Sequence, residues 1–391
     1  MRLDPARWLD RPGIARLLAS LGAEHGGARF VGGAVRDALL GLPAEDLDLA
    51  TPHQPADVVR RLEDAGIKAV PTGIAHGTVT AVSSGTMVEV TTLRCDVSTD
   101  GRRATVAFTD DWAEDAARRD FTINALYADP FSGEVIDHVG GEADIAARRV
   151  RFIGEPFERI AEDHLRILRF FRFHARFGEG EPDAAALDAC TARANDLMAL
   201  SRERIADELL KMLALPDPSP TIGLMQRRGI FAAILPELVE DAADRIAALA
   251  AAERDAAIPA DPLRRLAAML PRDPALAMRV AARLKLSNKA RKRLGDAASE
   301  DLDIAPRALA YRIGTQAAVD RLLLARRPSE AASIAEWPVP RLPIGGGDLI
   351  ARGVAQGPEV ARTLHRIEDG WIAAGFPTGA RFDEILAAAL A

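Results

Sequence analysis

The sequence predicts an α+β chain, with a head of mixed strands and helices over about the first 140 residues and an all-helical remainder. Three observations carry this. β-branched runs such as Thr86-Met87-Val88-Glu89-Val90-Thr91-Thr92 recur ahead of the glycine pair Gly140-Gly141, and such runs suit strands. After Pro156 the chain turns to Ala, Leu and Arg with few strand-like runs. At 391 residues, 48% of them apolar, there is material for more than one core.

Taken in order, residues 1–26 read as a leading helix. Arg29-Phe30-Val31 is a short strand that runs into Gly32-Gly33. A helical stretch from Ala34 to Leu40 is stopped by Gly41 and Pro43, and a strand over 46–50 carries Asp46-Leu47-Asp48. Further strands are expected at 67–70, 77–82, 86–93, 104–108, 122–128 and 134–138. The stretch Trp337–Pro343, with three prolines, and then Gly345-Gly346-Gly347 mark a linker before a last short helical segment. The expected division is a head at 1–140, a neck at 141–215, a body at 216–335 and a tail at 336–391.

Bulk properties narrow the function classes. No run of 18 apolar residues occurs, so no membrane span is expected. The first residues lack the apolar stretch of a signal peptide. Two cysteines, Cys95 and Cys190, make neither a disulfide framework nor a metal cluster. A cytoplasmic protein is the expectation. The net charge of −7 does not exclude nucleic acid, because local fields decide binding. Arg283, Lys285, Lys289, Arg291, Lys292 and Arg293 form a run that no acid interrupts. It reads either as a phosphate-binding patch or as a solvated helix face.

Three constellations carry chemistry. In the first, Gly32 and Gly33 open a helix whose backbone amides suit phosphate, with Arg36 placed to neutralise it. Asp46 and Asp48, at i and i+2 on a strand, project together and would hold two Mg²⁺ ions, hard cations that prefer carboxylate oxygen. Glu89, between Val88 and Val90, either joins that metal face or lies on the solvated side of an edge strand. In the second, Arg118-Arg119-Asp120 leads into an apolar stretch. Arg119 can reach a phosphate and Asp120 a ribose hydroxyl, which favours ribonucleotides. The third is Glu162-Asp163-His164-Leu165-Arg166-Ile167-Leu168-Arg169-Phe170-Phe171-Arg172-Phe173. As one helix it would place Asp163 and Arg166 on adjacent strips, with apolar residues nearly all round. Cytosine and adenine both present an amino donor beside a ring-nitrogen acceptor. An Asp–Arg pair matches that order and leaves uracil and guanine unpaired.

In this order, GGAVRD, DLD, RRDFTINA, Gly140-Gly141 with Asp144, EDHLRILR and then SRERIADELLKML (residues 201–213), the motifs resemble those of the class II tRNA nucleotidyltransferases and their poly(A) polymerase relatives. The match runs over about residues 29–213 and continues more weakly through RLKLSN and IGGGDLIARGVAQGP (residues 344–358). The resemblance implies a polymerase β-like nucleotidyltransferase head followed by an all-α neck, body and tail. It implies metal ligation by Asp46 and Asp48, and nucleotide contacts from Gly33, Arg36, Arg119, Asp163, Arg166, Arg169 and Arg172, with Asp120 on the ribose. The implied activity is addition of C, C and A to the 3′ end of tRNA from CTP and ATP, with the protein as template.

Residues 94–108 look like the flexible loop such enzymes need to switch from C to A, although the usual proline after Arg102-Arg103 is missing. The segment TGIAHGTVT (residues 72–80) stands where bacterial poly(A) polymerases carry a GRRFR-type run. No His-Asp dipeptide occurs in the helical half, so the accessory phosphohydrolase domain of some bacterial members is expected to be absent. A poly(A) polymerase and a non-catalytic RNA-binding relative are the rival readings. The intact Asp46-Leu47-Asp48 argues against the second.

Overall fold

The head strands build one sheet and a separate ribbon. In the computed structural model, which describes residues 1–43, 46–99 and 104–390, the strands are β1 (Arg29–Val31), β2 (Leu47–Thr51), β3 (Lys68–Gly73), β4 (Thr78–Ser83), β5 (Thr86–Thr92), β6 (Arg94–Thr99), β7 (Ala104–Phe108), β8 (Leu126–Ala128) and β9 (Val135–Asp137). Seven of them form a mixed sheet in the order β3-β4-β5-β2-β1-β8-β9, and β6 pairs with β7 alone. β2 and β5 run parallel, with Asp48 in register with Glu89, while the other neighbouring pairs are antiparallel. On β5 the pleat buries Val88, Val90 and Thr92 and exposes Met87 and Glu89. The helices Ile14–Ser20, Gly33–Leu39 and Pro55–Asp64 pack on this sheet.

The structure departs from the sequence expectations at several places. The leading helix is broken into Ala6–Leu9 and Ile14–Ser20, with Gly13 between them at φ 80°, a conformation only glycine takes freely. The strand expected at 122–128 starts at Leu126, because Thr122–Asn124 forms a 3₁₀ turn. Thr122 is held out of the ladder: its Oγ1 donates to Asp144 at 2.6 Å and its backbone N to Arg151 O at 3.1 Å. The Asp144 carboxylate, fully buried, also accepts from Arg149 and Arg151. Gly141 lies against this turn so closely that a Cβ would stand 2.3 Å from Thr122 O. That close approach is the physical reason for the glycine. The strand β6 was not anticipated, since Arg94-Cys95-Asp96 has no clear strand pattern. Asp100, Arg102 and Arg103 lie outside the described residues.

Two units emerge, one of Met1–Glu208 with Leu224–Ile234, the other of Leu209–Gly223 with the residues from Leu235 onward. In the first, the helix Arg166–Phe177 is buried through Ile167, Leu168, Phe170, Phe171, Phe173 and Phe177. Phe121 and Phe152 pack against Phe170, and Phe121 against Phe173. In the second, helices between Ala242 and Ala335 surround a buried ionic network. Arg264 donates to Glu253 at 2.6 Å and to Asp320 at 2.9 Å, and Arg265 donates to Glu253 at 2.9 Å, all with side chains at most 3% exposed. The last segment is three helices, Gly346–Ala351, Pro358–Ala373 and Ala380–Leu390, around Ile367, Trp371, Phe382 and Leu386. Among the described residues no helix is long and apolar enough to cross a membrane.

Candidate active site

The first unit carries a cleft of about 370 Å³ lined by Gly32, Gly33, Arg36, Asp48, Arg118, Arg119, Asp120, Asn124, Asp163, Arg166, Arg169 and Phe173. Three sequence-distant motifs meet there. Gly32 turns β1 into the helix Gly33–Leu39 at φ 65° and ψ −120°, a backbone that demands glycine. The first residue of that helix therefore faces the cleft, where its free amides suit an anion.

The cations of the cleft are held by specific partners. Arg36 binds Asp37 (Nε to Oδ1, 2.8 Å) and the amide oxygen of Asn124, with its guanidinium 4.1 Å from the Phe177 ring centroid. Asp115, 1% exposed, accepts from Arg118, from Arg119 and from Tyr127 Oη at 2.6 Å. Burial opposes its charge, but Arg119 and Arg118 outweigh it and hold the carboxyl down to about 2. Both arginines are thus held at the cleft wall by charge-assisted bonds to one carboxylate.

Asp120 is more occupied than a free ribose acceptor would be. Its Oδ1 accepts from Phe121 N and Asn124 Nδ2, and its Oδ2 accepts from Arg169 Nε at 2.8 Å. Burial works to raise its pKa, yet Arg169 and these donors bring it below the usual carboxylate value. A ribose hydroxyl would have to displace one of them. Arg172 does not line the cleft. It donates to Glu208 Oε2 at 2.6 Å, lies over Phe173, and so braces the helix that carries Arg169.

Asp163 and Arg166 both line the cleft but do not share a helix. The helix Pro156–Glu162 ends at Asp163, whose backbone is extended at φ −152° and ψ 106°, and the next helix begins at Arg166. The break has a local cause: Asp163 Oδ1 accepts from Leu165 N at 3.1 Å, a side-chain bond that competes with helix continuation. Asp163 Oδ2 accepts from Arg204 Nη2 at 2.7 Å. Arg166 donates to Glu162 and to the carbonyls of Arg159 and Arg118. These bonds fix the two side chains, and each carboxylate oxygen still has acceptor capacity for a base amino group.

Of the two aspartates expected on one strand, Asp48 lies on β2 and lines the cleft, whereas Asp46 precedes the strand and is not among the lining residues. Asp46 is exposed, Asp48 half-buried, and Glu89 exposed on the neighbouring strand. Asp48 is pushed up to about 6, first by burial and then by Glu89, with Arg119 and Arg36 offsetting part and Asp46 adding to the repulsion. The donor chemistry suits Mg²⁺, which binds one or two protein carboxylates and takes its other ligands from water and substrate phosphate. Among the described residues no three or more His, Cys, Asp or Glu side chains form a ready-made metal centre; Asp48 on β2 is in register with Glu89 on β5.

Sequence reasoning missed Arg118, Asn124 and Phe173 in the cleft, and Asp115, Arg204 and Glu208 behind it. Arg118 and Asn124 lie inside the RRDFTINA motif, and Arg204 and Glu208 stand at i and i+4 on the helix Arg202–Leu213. In the basic run, Arg283 is in a two-point pair with Glu237, and Arg293 is bound to Asp261 and Asp320. Those two side chains serve the fold. Lys292 pairs with Asp296 at the surface. Lys285, Lys289 and Arg291 are exposed and make no ion pair among the described residues.

Comparison with known proteins agrees with this layout. Residues 28–151 match the profile of the Poly A polymerase head domain, and residues 181–241 that of the probable RNA and SrmB-binding site of polymerase A. The chain is 34% identical to a CCA-adding enzyme of Lacticaseibacillus paracasei over 96% of each chain. It is 32% identical to the mitochondrial CCA tRNA nucleotidyltransferase 1 of Mus musculus over 93% of this chain and 87% of that one. Among solved structures, the Bacillus stearothermophilus CCA-adding enzyme in complex with CTP superposes with a TM-score of 0.76 at 28% identity, covering 97% and 98% of the two chains. With relatives above 30% identity along nearly their whole length, a matching head profile and a matching fold, the chain belongs to the CCA-adding enzyme family of RNA nucleotidyltransferases.

Proposed function

We infer that the protein is a CCA tRNA nucleotidyltransferase: it adds C, C and A to the 3′ end of tRNA from CTP and ATP and releases pyrophosphate. The observation that carries this is the single cleft that sets Gly33, Asp48, Arg119 and the Asp163–Arg166 pair around one space. The triphosphate lies against the amides at Gly33 and against Arg36 and Arg119. The base lies against Asp163, which accepts from the amino group of C or A, and Arg166, which donates to the ring nitrogen. Arg204 and Glu162 hold those two side chains in place. Asp46 and Asp48 would hold Mg²⁺, which supplies charge stabilisation to the triphosphate and lowers the pKa of the attacking hydroxyl. The RNA 3′ hydroxyl attacks the α-phosphate, and positioning by fixed cations does most of the catalytic work. The assignment to the cytoplasm is part of the same reading; the free thiols Cys95 and Cys190 are compatible with a reducing compartment.

Sizing the products tests this. A tRNA lacking CCA should gain two nucleotides with CTP alone and three with CTP and ATP together; a long adenylate ladder with ATP alone would mark a poly(A) polymerase instead.

The RNA backbone is assigned in part to Lys289, Arg291 and Lys292, all exposed. Changing these three to Gln should weaken tRNA binding and lower the salt slope by roughly one unit per lost phosphate contact. Nitrocellulose filter binding at several salt concentrations reads the slope, and an unchanged slope means that this helix face is merely solvated. Changing Arg293 would confuse the test, because Asp261 and Asp320 depend on it.

A further inference from the structure

The second unit contains a cavity of about 490 Å³ that the transfer reaction does not use. Its floor is apolar, with Leu249 and Leu323 buried. Three guanidiniums, Arg245, Arg272 and Arg326, line it against two carboxylates, Asp241 and Glu300. Arg245 and Asp241 neutralise each other at 2.9 Å. Arg272 touches no carboxylate among the described residues. Its Nη2 donates to Ser299 O at 2.7 Å and its Nε to Ala298 O at 3.4 Å, which leaves Nη1 without a described partner. Burial disfavours its charge most, Glu300 supports it, and Arg321 and Arg245 oppose it. Arg326, exposed and without an ion pair among the described residues, holds a left-handed backbone at φ 58°, where glycine or asparagine is usual.

A half-buried arginine satisfied only by carbonyls, in a cavity also lined by a second arginine without an ion pair among the described residues, is suited to an added anion. Guanidiniums favour phosphate, which they bind through two parallel hydrogen bonds. The volume falls within the usual range for small-molecule sites, and the leucine floor gives an apolar surface for a sugar or base. We propose that this cavity binds a nucleotide, with its phosphate on Arg272 and Arg326 and its sugar or base on Leu249 and Leu323. The same chemistry has two sources, a free nucleotide or a nucleotide of bound tRNA; the second rests on the function inferred above.

The test uses the full chain and the double variant Arg272→Gln/Arg326→Asn, asparagine being chosen because it tolerates the left-handed backbone. Equilibrium dialysis with ATP counts sites. A free-nucleotide site gives two ATP per parent chain and one per variant chain. An RNA site gives one ATP in both, while the variant's Kd for tRNA lacking CCA rises about tenfold and its salt slope falls by about one. An unchanged count together with unchanged tRNA affinity and slope overturns the proposal. Glu300→Gln removes a competing carboxylate and should tighten the same binding about twofold to fivefold; if the double variant does not fold, this variant decides, and no tightening overturns the proposal. None of these residues lines the cleft, so kcat at saturating tRNA should stay at the parent value. Failure of the parent to extend tRNA would refute the function without touching the difference in ATP count between parent and variant.

Discussion

Replacing Asp48 with Asn should lower the rate of nucleotide addition by about a thousandfold or more, while leaving tRNA affinity within about twofold of the parent. The magnitude follows from the role. A carboxylate that holds the metal supports several kcal/mol of transition-state charge stabilisation, and each ~1.4 kcal/mol is tenfold in rate. Stability should move the other way. Asp48 is half-buried and in register with Glu89, with Asp46 two residues before it. Removing one of three like charges relieves repulsion, so the Tm in metal-free buffer should equal or exceed that of the parent. Single-turnover addition of CTP and a thermal melt together check this. Activity within about tenfold of the parent would remove Asp48 from the metal site.

Arg265→Ala should cost about 3–5 kcal/mol of stability. Arg265 is 2% exposed and donates to Glu253 at 2.9 Å, to Leu213 O at 2.8 Å, to Leu215 O and to Pro216 O at 3.1 Å. Its loss strands a carboxylate that is 3% exposed and leaves three carbonyls short of a donor. Arg264 remains on Glu253 but is shared with Asp320. The expected Tm loss is about 10 °C or more for a unit of this size. The chain has two units, so unfolding should be followed by more than one probe to locate the transition. A loss below about 2 °C would mean that the network contributes little beyond its own desolvation cost.

The head was largely legible because its signals are local. Glycines at a turn and alternating β-branched residues specify β1, β2, β4 and β5 with errors of one or two residues at the ends. Asp46-Leu47-Asp48 was legible as a spacing, but β2 begins at Leu47, so only Asp48 lies on the strand and Asp46 stands at the bend before it. What was not legible depends on tertiary contacts. The 3₁₀ turn at Thr122–Asn124 is imposed by Asp144, more than twenty residues on. The break at Asp163 arises from one side-chain bond that a helical period cannot register. Arg293 and Arg283 read as surface cations, yet their partners Asp320, Asp261 and Glu237 are far away in sequence. The bracing of Arg169 and Arg172 by Glu208 was hidden for the same reason, although the i, i+4 spacing of Arg204 and Glu208 was a usable hint.

The central claim is that protein side chains in this cleft read the base. The most direct measurement is the ratio of kcat/KM for CTP over UTP on tRNA lacking CCA, in the parent and in Asp163→Ala. Without the carboxylate, a carbonyl at that edge of the base is no longer penalised, and one charge-assisted hydrogen bond to cytosine is lost, worth about 1.5–3 kcal/mol. The ratio should therefore fall about tenfold to a hundredfold, while CTP addition persists because Gly33, Arg36, Asp46 and Asp48 are untouched. An unchanged ratio with a reduced overall rate would contradict the account and make Asp163 only an anchor for Arg204 and Leu165.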